Sequence, residues 1–205
     1  MCRDCGAPLA VELDYFAALG LPRRLTLDSR QLESAYYERG RRLHPDRFAT
    51  EPEAVRDASL MSTALLTRSY RTLRDPVNRG RYWLELRGEK LSDDNKQVPA
   101  ELAELVFEVQ EELAELRGAA RRDRESVNEL VTALHERRNA LQLSMDEAQE
   151  ELRKNFAKWD GQSADSAKLS LNLKAILSKV AYLRTLIRDV DRELESSALA
   201  KDKIL

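Results

Sequence analysis

The residues of this chain best suited to chemistry stand together at His44-Pro45-Asp46, where an imidazole and a carboxylate flank a residue with no backbone N–H. Proline pushes its predecessor out of the α conformation, so a helix arriving at His44 must end there. Asp46 is a residue of turns and caps. A loop of this kind holds two polar side chains rigidly at the surface, the usual setting for recognition. From the tripeptide alone, an ordinary helix-loop-helix turn fits as well. Arg41, Arg42 and Arg47 surround the loop with positive charge, a surface that would steer an acidic partner or simply form a solvated helix face.

Other chemistries lack their residues. The sequence has no Gly-x-x-x-x-Gly-Lys phosphate loop, no nucleophile elbow and no His/Cys/carboxylate metal set. Paired carboxylates such as Glu111-Glu112 lie on a charged helix face with nothing to desolvate them, which argues against acid–base catalysis. The expectation is a protein that is not an enzyme and holds no cofactor. Cys2 and Cys5 have metal-knuckle spacing, yet they are the only cysteines and only two histidines accompany them, short of a four-ligand site within one chain. Metal is therefore expected to be absent, with Cys2 and Cys5 the remaining candidates. They could form a site shared between chains, a site completed upstream of this start, or a redox pair, although no βαβ pattern surrounds them.

The elements that must position these residues read as helices. Only 7 glycines and 6 prolines interrupt 205 residues of which 34% are charged, a composition of one or two soluble helical domains. No apolar run is long enough to span a bilayer, and the first residues lack the pattern of a signal or transit peptide, so no membrane contact and a cytoplasmic location are expected. Residues 1–90 carry 16 Lys+Arg against 13 Asp+Glu, and residues 91–205 carry 18 against 23. This asymmetry suggests two partner surfaces, and neither half is basic enough for nucleic acid.

A short helix from Asp14 to Leu19 ends at Gly20 and Pro22. Asp28 or Ser29 caps a second helix running to Leu43, with Leu32, Ala35, Tyr36 and Leu43 on its core stripe. A third starts at Glu51-Pro52-Glu53 and buries Val55, Ala58, Leu65, Leu66, Ser69, Tyr70 and Leu73. Asp75-Pro76 starts a fourth, with Tyr82, Trp83 and Leu86 as core candidates. A polar stretch over 89–98 marks a linker. Three longer helices follow. Their stripes are Leu102 to Leu116, Val127 to Trp159, and a heptad seam at Leu169, Leu173, Ile176, Val180, Leu183, Ile187, Val190 and Leu194. Polar turns near Gly118 and Gly161 fold them into an antiparallel bundle. A monomer is expected, with a coiled-coil dimer as the alternative.

Apolar residues off these stripes are informative. Phe107 lies about 140° from Leu102 on the helical wheel, among Ala103, Glu104, Glu108 and Glu111. Tyr182 projects away from the seam beside Lys179 and Arg184. Two exposed aromatics, one ringed by carboxylates, suit a protein partner, although scattered surface aromatics also occur without function.

Several groups of residues carry a resemblance. They are Asp14-Tyr15-Phe16, Leu19-Gly20-Leu21-Pro22, Leu27-Asp28, the loop from Leu43 to Phe48, Tyr70-Arg71-Thr72-Leu73-Arg74-Asp75-Pro76, and Arg79 to Gly88. Residues 14–88 resemble a J-domain, specifically that of the HscB family of iron-sulfur co-chaperones. Leu66-Thr67 departs from the family's usual Ile-Asn pair and Gly80 from its usual alanine. The resemblance implies an all-α fold with a tail at 1–13, a J-domain at 14–88, a linker at 89–98 and a client-binding three-helix bundle at 99–205. It also implies that His44, Pro45 and Asp46, helped by Arg41 and Arg47, engage a chaperone of the DnaK/HscA class and stimulate its ATPase. Ala103, Glu104, Phe107, Glu108, Glu111 and Tyr182 fall at positions that bind an iron-sulfur scaffold protein of the IscU type. Ala103 and Glu104 are not the larger apolar residues usual there. Cys2 and Cys5 would be the remaining half of a paired motif found in some members. The alternatives are a J-protein with another client, or a coiled-coil adaptor whose J-like hairpin is inert.

Overall fold

Three helices of the first half begin where an aspartate side chain replaces a missing backbone partner. The computed structural model describes residues 14–89, 91, 98–118, 124–161 and 166–202. Cys2, Cys5, the proposed tail and most of the proposed linker lie outside these residues. The chain divides into two compact units, Met1–Lys90 with Phe156–Ser166, and Leu91–Asn155 with Ala167–Leu205.

In the first unit, α1 (Tyr15–Leu19) starts at Asp14, whose carboxylate accepts the Ala17 N–H, and stops at Gly20 in the left-handed conformation with φ 65°. The left-handed turn is what calls for glycine there, since the nearest atoms a Cβ would meet belong to the flexible end of the exposed Arg39 side chain. Asp28 caps α2 (Ser29–Leu43) by accepting the Gln31 N–H. The hairpin continues into α3 (Glu53–Arg74), and Asp75 and Pro76 open α4 (Pro76–Leu86). α1, α2 and α4 all pack on α3. Their core is Phe16, Leu19, Leu32, Leu66 and Leu73. Stacked ring pairs flank it, Tyr15 with Tyr82 at 4.1 Å and Tyr36 with Tyr70 at 4.4 Å. Tyr82 does more than pack, since its hydroxyl accepts the Tyr15 N–H at 2.9 Å, one of the first-turn donors that no helix can satisfy internally. On α4 the expected core residue Leu86 is exposed, while Leu84 is fully buried. The tight exit through Gly88, at φ 72°, leaves Leu86 in the last, outward-facing turn.

The unit is completed by the C-terminal turn of another helix. Asp160 accepts the N–H groups of Leu25 and Thr26 at 2.8 and 2.6 Å. Trp159 meets Trp83 edge-on with centroids 5.9 Å apart. The Arg79 guanidinium lies 5.3 Å from the Phe156 ring centre and donates to the Leu73 carbonyl at 3.0 Å. Burial lowers the pKa of Arg79, opposed by the charges of Asp160 and Asp75.

The second unit is built from α5 (Ala103–Gly118), α6 (Arg124–Asp160) and α7 (Ser166–Asp202). Cross-helix ion pairs give their directions. Glu101 with Lys179 at 2.8 Å and Arg117 with Glu193 at 2.9 Å run α5 parallel to α7. Arg138 with Asp191 at 2.6 Å, and the Asn155 amide donating to the Leu169 carbonyl at 3.4 Å, set α6 antiparallel to α7. Leu102, in the turn just before α5, lines the core with Val106, Val109, Leu113 and Leu116 of α5 and with Leu134, Leu141, Met145, Ala148 and Leu152 of α6. On α7 the heptad seam needs correction. Leu177 and Leu186 are buried at 0% and 3%, whereas Ile176 and Ile187 are half-buried. A helix in a three-helix bundle faces two neighbours and buries a stripe wider than a two-stranded seam, which brings the residues flanking the seam inward. Among the described residues no helix is long and apolar enough to cross a membrane.

Candidate functional site

The His44 loop is shaped by its proline and held from behind. His44 has φ −57° and ψ 131°, the extended conformation required before proline, and α2 stops there. Pro45–Phe48 then forms one 3-10 turn, with the Arg47 N–H donating to the His44 carbonyl at 3.0 Å. The Asp46 N–H points at His44 Nδ1 across 3.4 Å, and Asp46 Oδ2 lies at the same 3.4 Å from that nitrogen. Nδ1 cannot accept the first contact and donate to the second at once, and at 3.4 Å either is a weak restraint. Both side chains face outward, His44 56% and Asp46 89% exposed. Arg41 and Arg47 are exposed beside them.

What fixes the turn is a pair of hydroxyls on α3. Ser59 Oγ donates to the Leu43 carbonyl at 2.7 Å and Thr63 Oγ1 at 3.1 Å. That carbonyl belongs to the last turn of α2 and has no donor within the helix. Ser59 is fully buried. Sequence reading missed both residues. Their signal was two hydroxyls four apart on an otherwise apolar helix face.

In the second unit the residues expected to meet a client lie on α5 and α7. Phe107 is 68% exposed, an isolated large apolar side chain. Ala103, Glu104 and Glu111 are also exposed. Glu108 is half-buried and paired with Arg137 at 3.2 Å, so it is not a free carboxylate. Tyr182 is half-buried rather than the open aromatic the wheel suggests, and burial raises its hydroxyl pKa. Its expected neighbour Lys179 turns inward to Glu101, because the long stem packs while the ammonium finds a carboxylate. The parallel pairing of Glu101 with Lys179 sets Phe107 and Tyr182 within about 5 Å of one another along the helix axes, at 1.5 Å per residue. Among the described residues no group of three or more His, Cys, Asp or Glu is arranged to hold a metal ion.

No family model matches the chain. A curated relative, the co-chaperone protein HscB homolog of Chromobacterium violaceum, is 33% identical over 129 residues, 59% of this chain and 74% of that protein. The solved structure of the chaperone HscB from Vibrio cholerae matches with TM-score 0.62 at 25% identity, covering 94% of this chain and 100% of that one. The human co-chaperone protein HscB matches with TM-score 0.65, 93% of this chain and 88% of that one, and at 21% identity it speaks for the fold alone. A helical hairpin that projects His-Pro-Asp, joined in the same chain to a three-helix bundle, defines the class as a J-domain protein. The chain belongs to the HscB family of co-chaperones.

Proposed function

We propose that this protein stimulates ATP hydrolysis by a heat-shock chaperone of the DnaK/HscA class and brings it an iron-sulfur scaffold protein of the IscU type, assisting iron-sulfur protein maturation. The single observation that supports this most is the outward-facing pair His44 and Asp46 on a turn locked by Pro45, Ser59 and Thr63, in a member of a co-chaperone family. His44, Pro45 and Asp46 contact the chaperone, and Arg41 and Arg47 speed the encounter by charge. Phe107, Ala103, Glu104, Glu108, Glu111 and Tyr182 form the client surface, with Phe107 as the apolar anchor inside an acidic rim. Holding the client on the same chain that engages the chaperone turns their meeting into an effectively intramolecular event.

The test uses the full-length protein. Asp46→Asn abolishes stimulation of the chaperone ATPase and leaves calorimetric binding of the scaffold unchanged, while Phe107→Ala does the reverse. Loss of both activities in either variant overturns the division of labour.

A further inference from the structure

A cleft in the first unit lies on a face of α2 that the chaperone reading leaves unused, about a quarter-turn round the helix from Arg41. It runs between α1, α2 and α3 and measures about 460 Å³. Leu19 of α1, Ala35 and Leu43 of α2 and Leu65 of α3 supply its apolar side. Leu19 is fully buried and the other three are half-buried, so the cleft opens on the edge of the core. Polar groups complete the lining. Arg39 and Arg42 stand three residues apart on α2, both exposed, and neither forms an ion pair among the described residues. Glu38 is the one carboxylate of the lining, and Ser34 Oγ donates to it at 3.3 Å. Two cations therefore stand against one anion, and residues at this helical spacing, with Cβ atoms about 5–6 Å apart, can both reach a single carboxylate.

Three features bear on what fills the cleft. Unpaired guanidinium groups call for an anion, and the leucines beside them call for an apolar group on the same ligand. The cleft is open to solvent on one side, whereas a free small ligand needs most of its surface covered. A side chain carried on a longer protein segment does not. Leu43, which walls the cleft, is the residue before His44, so a protein seated on the His44 turn is one residue away from it. We propose that the cleft seats an acidic segment of the same chaperone that meets His44 and Asp46, with an apolar side chain against Leu19, Ala35 and Leu65 and a neighbouring carboxylate on Arg39 and Arg42. This contact rests on the chaperone reading above and is additional to the His44 turn. It holds the partner and takes no part in triggering hydrolysis, so it sets affinity and not the maximal rate.

The test is ATPase stimulation of a chaperone of the HscA type, titrated with full-length protein. Two cleft variants are compared with wild type: Arg39→Gln with Arg42→Gln, and Ala35→Leu, which fills the cleft without removing charge. A control pair, Arg24→Gln with Arg71→Gln, removes two exposed arginines outside the cleft. Each cleft variant raises the concentration needed for half-maximal stimulation at least about fivefold and leaves the maximum unchanged, as expected when two partly solvated charge pairs or the seat of an apolar group are lost. The control pair stays within about twofold of wild type. Urea unfolding checks that Ala35→Leu is folded. If it is not, the arginine pair, being exposed, decides with its control. Cleft variants with wild-type half-saturation, a control pair that weakens coupling as much as the cleft pair, or a fallen maximum at unchanged half-saturation overturns the contact. So does loss of scaffold binding or of self-association in place of the chaperone response, which gives the cleft to the client or to a second copy. A wild type that stimulates no such chaperone fails the functional reading itself and takes this contact with it, whereas normal stimulation by both cleft variants fails the contact alone.

Discussion

Removing the two hydroxyls behind the His44 loop, singly and together, tests how the loop is positioned. The Leu43 carbonyl accepts Ser59 Oγ at 2.7 Å and Thr63 Oγ1 at 3.1 Å. Ser59→Ala deletes the shorter bond but leaves the carbonyl one donor, at a cost of about 1 kcal/mol. Thr63→Val deletes the longer bond in a less buried place, at about 0.5 kcal/mol. The double variant leaves a shielded helix-terminal carbonyl with neither hydroxyl, and such an orphan carries its own penalty of about 1–3 kcal/mol. The double substitution is therefore expected to exceed the sum of the singles by about 1 kcal/mol. Urea unfolding followed by tryptophan fluorescence reads this directly, because both tryptophans of the chain, Trp83 and Trp159, belong to the first unit. ATPase stimulation should fall in the double variant although His44, Pro45 and Asp46 are untouched, while scaffold binding holds. Additivity within about 0.3 kcal/mol would show that the two hydroxyls do not share one acceptor. Full ATPase stimulation by the destabilised double variant would show that they do not position the loop.

Two further outcomes follow from the same unit. Asp160→Ala removes the acceptor of two N–H bonds to the 25–26 turn and is expected to lower first-unit stability by about 2 kcal/mol, with a red shift of tryptophan emission as the Trp83–Trp159 contact loosens; unchanged emission and stability would mean the turn is held by other groups. Although partial burial opposes it, hydrogen bonds from the Ala17 N–H and from Arg23 hold the Asp14 carboxyl below the usual carboxylate range. Its contribution is therefore present above the unfolded value near pH 4 and is lost as pH falls through the lower folded value. Asp14→Ala should cost about 1 kcal/mol at neutral pH, and the gap from wild type should narrow steadily in urea titrations taken down to pH 3. A gap independent of pH would leave the cap without its charge.

Much of the first unit could be read from the chain because its boundaries are set locally. Asp14, Asp28 and Asp75 cap helices through their own side chains, Gly20 must be left-handed, and Pro45 and Pro76 dictate where helices stop and start. Each of these acts over a few residues. What escaped the sequence depends on residues far apart in it. Tyr82 reaches back to the N–H of Tyr15, and Asp160 closes a turn at Leu25 and Thr26. No spacing rule relates residues whose separation is decided by the fold.

The same distinction separates the two candidate surfaces. His44 was legible because the proline after it restricts its backbone, and a residue forced out of the helix before a surface turn has little choice but to be exposed; Asp46 was legible as the turn residue beside it. The α5 face was legible only in part, because exposure there depends on what neighbouring helices supply. Phe107 meets no partner stripe and stays open at 68%, while Glu108 is drawn to Arg137 of α6, a residue that the α5 wheel does not contain. Tyr182 is half-buried for a related reason: α7 faces both α5 and α6, which widens its buried stripe until positions just off the seam are partly covered. A helical wheel ranks residues by angle and assumes one neighbour. In a three-helix bundle each helix has two, so the wheel errs at the edge of the stripe, where a residue can belong to the core or to a partner.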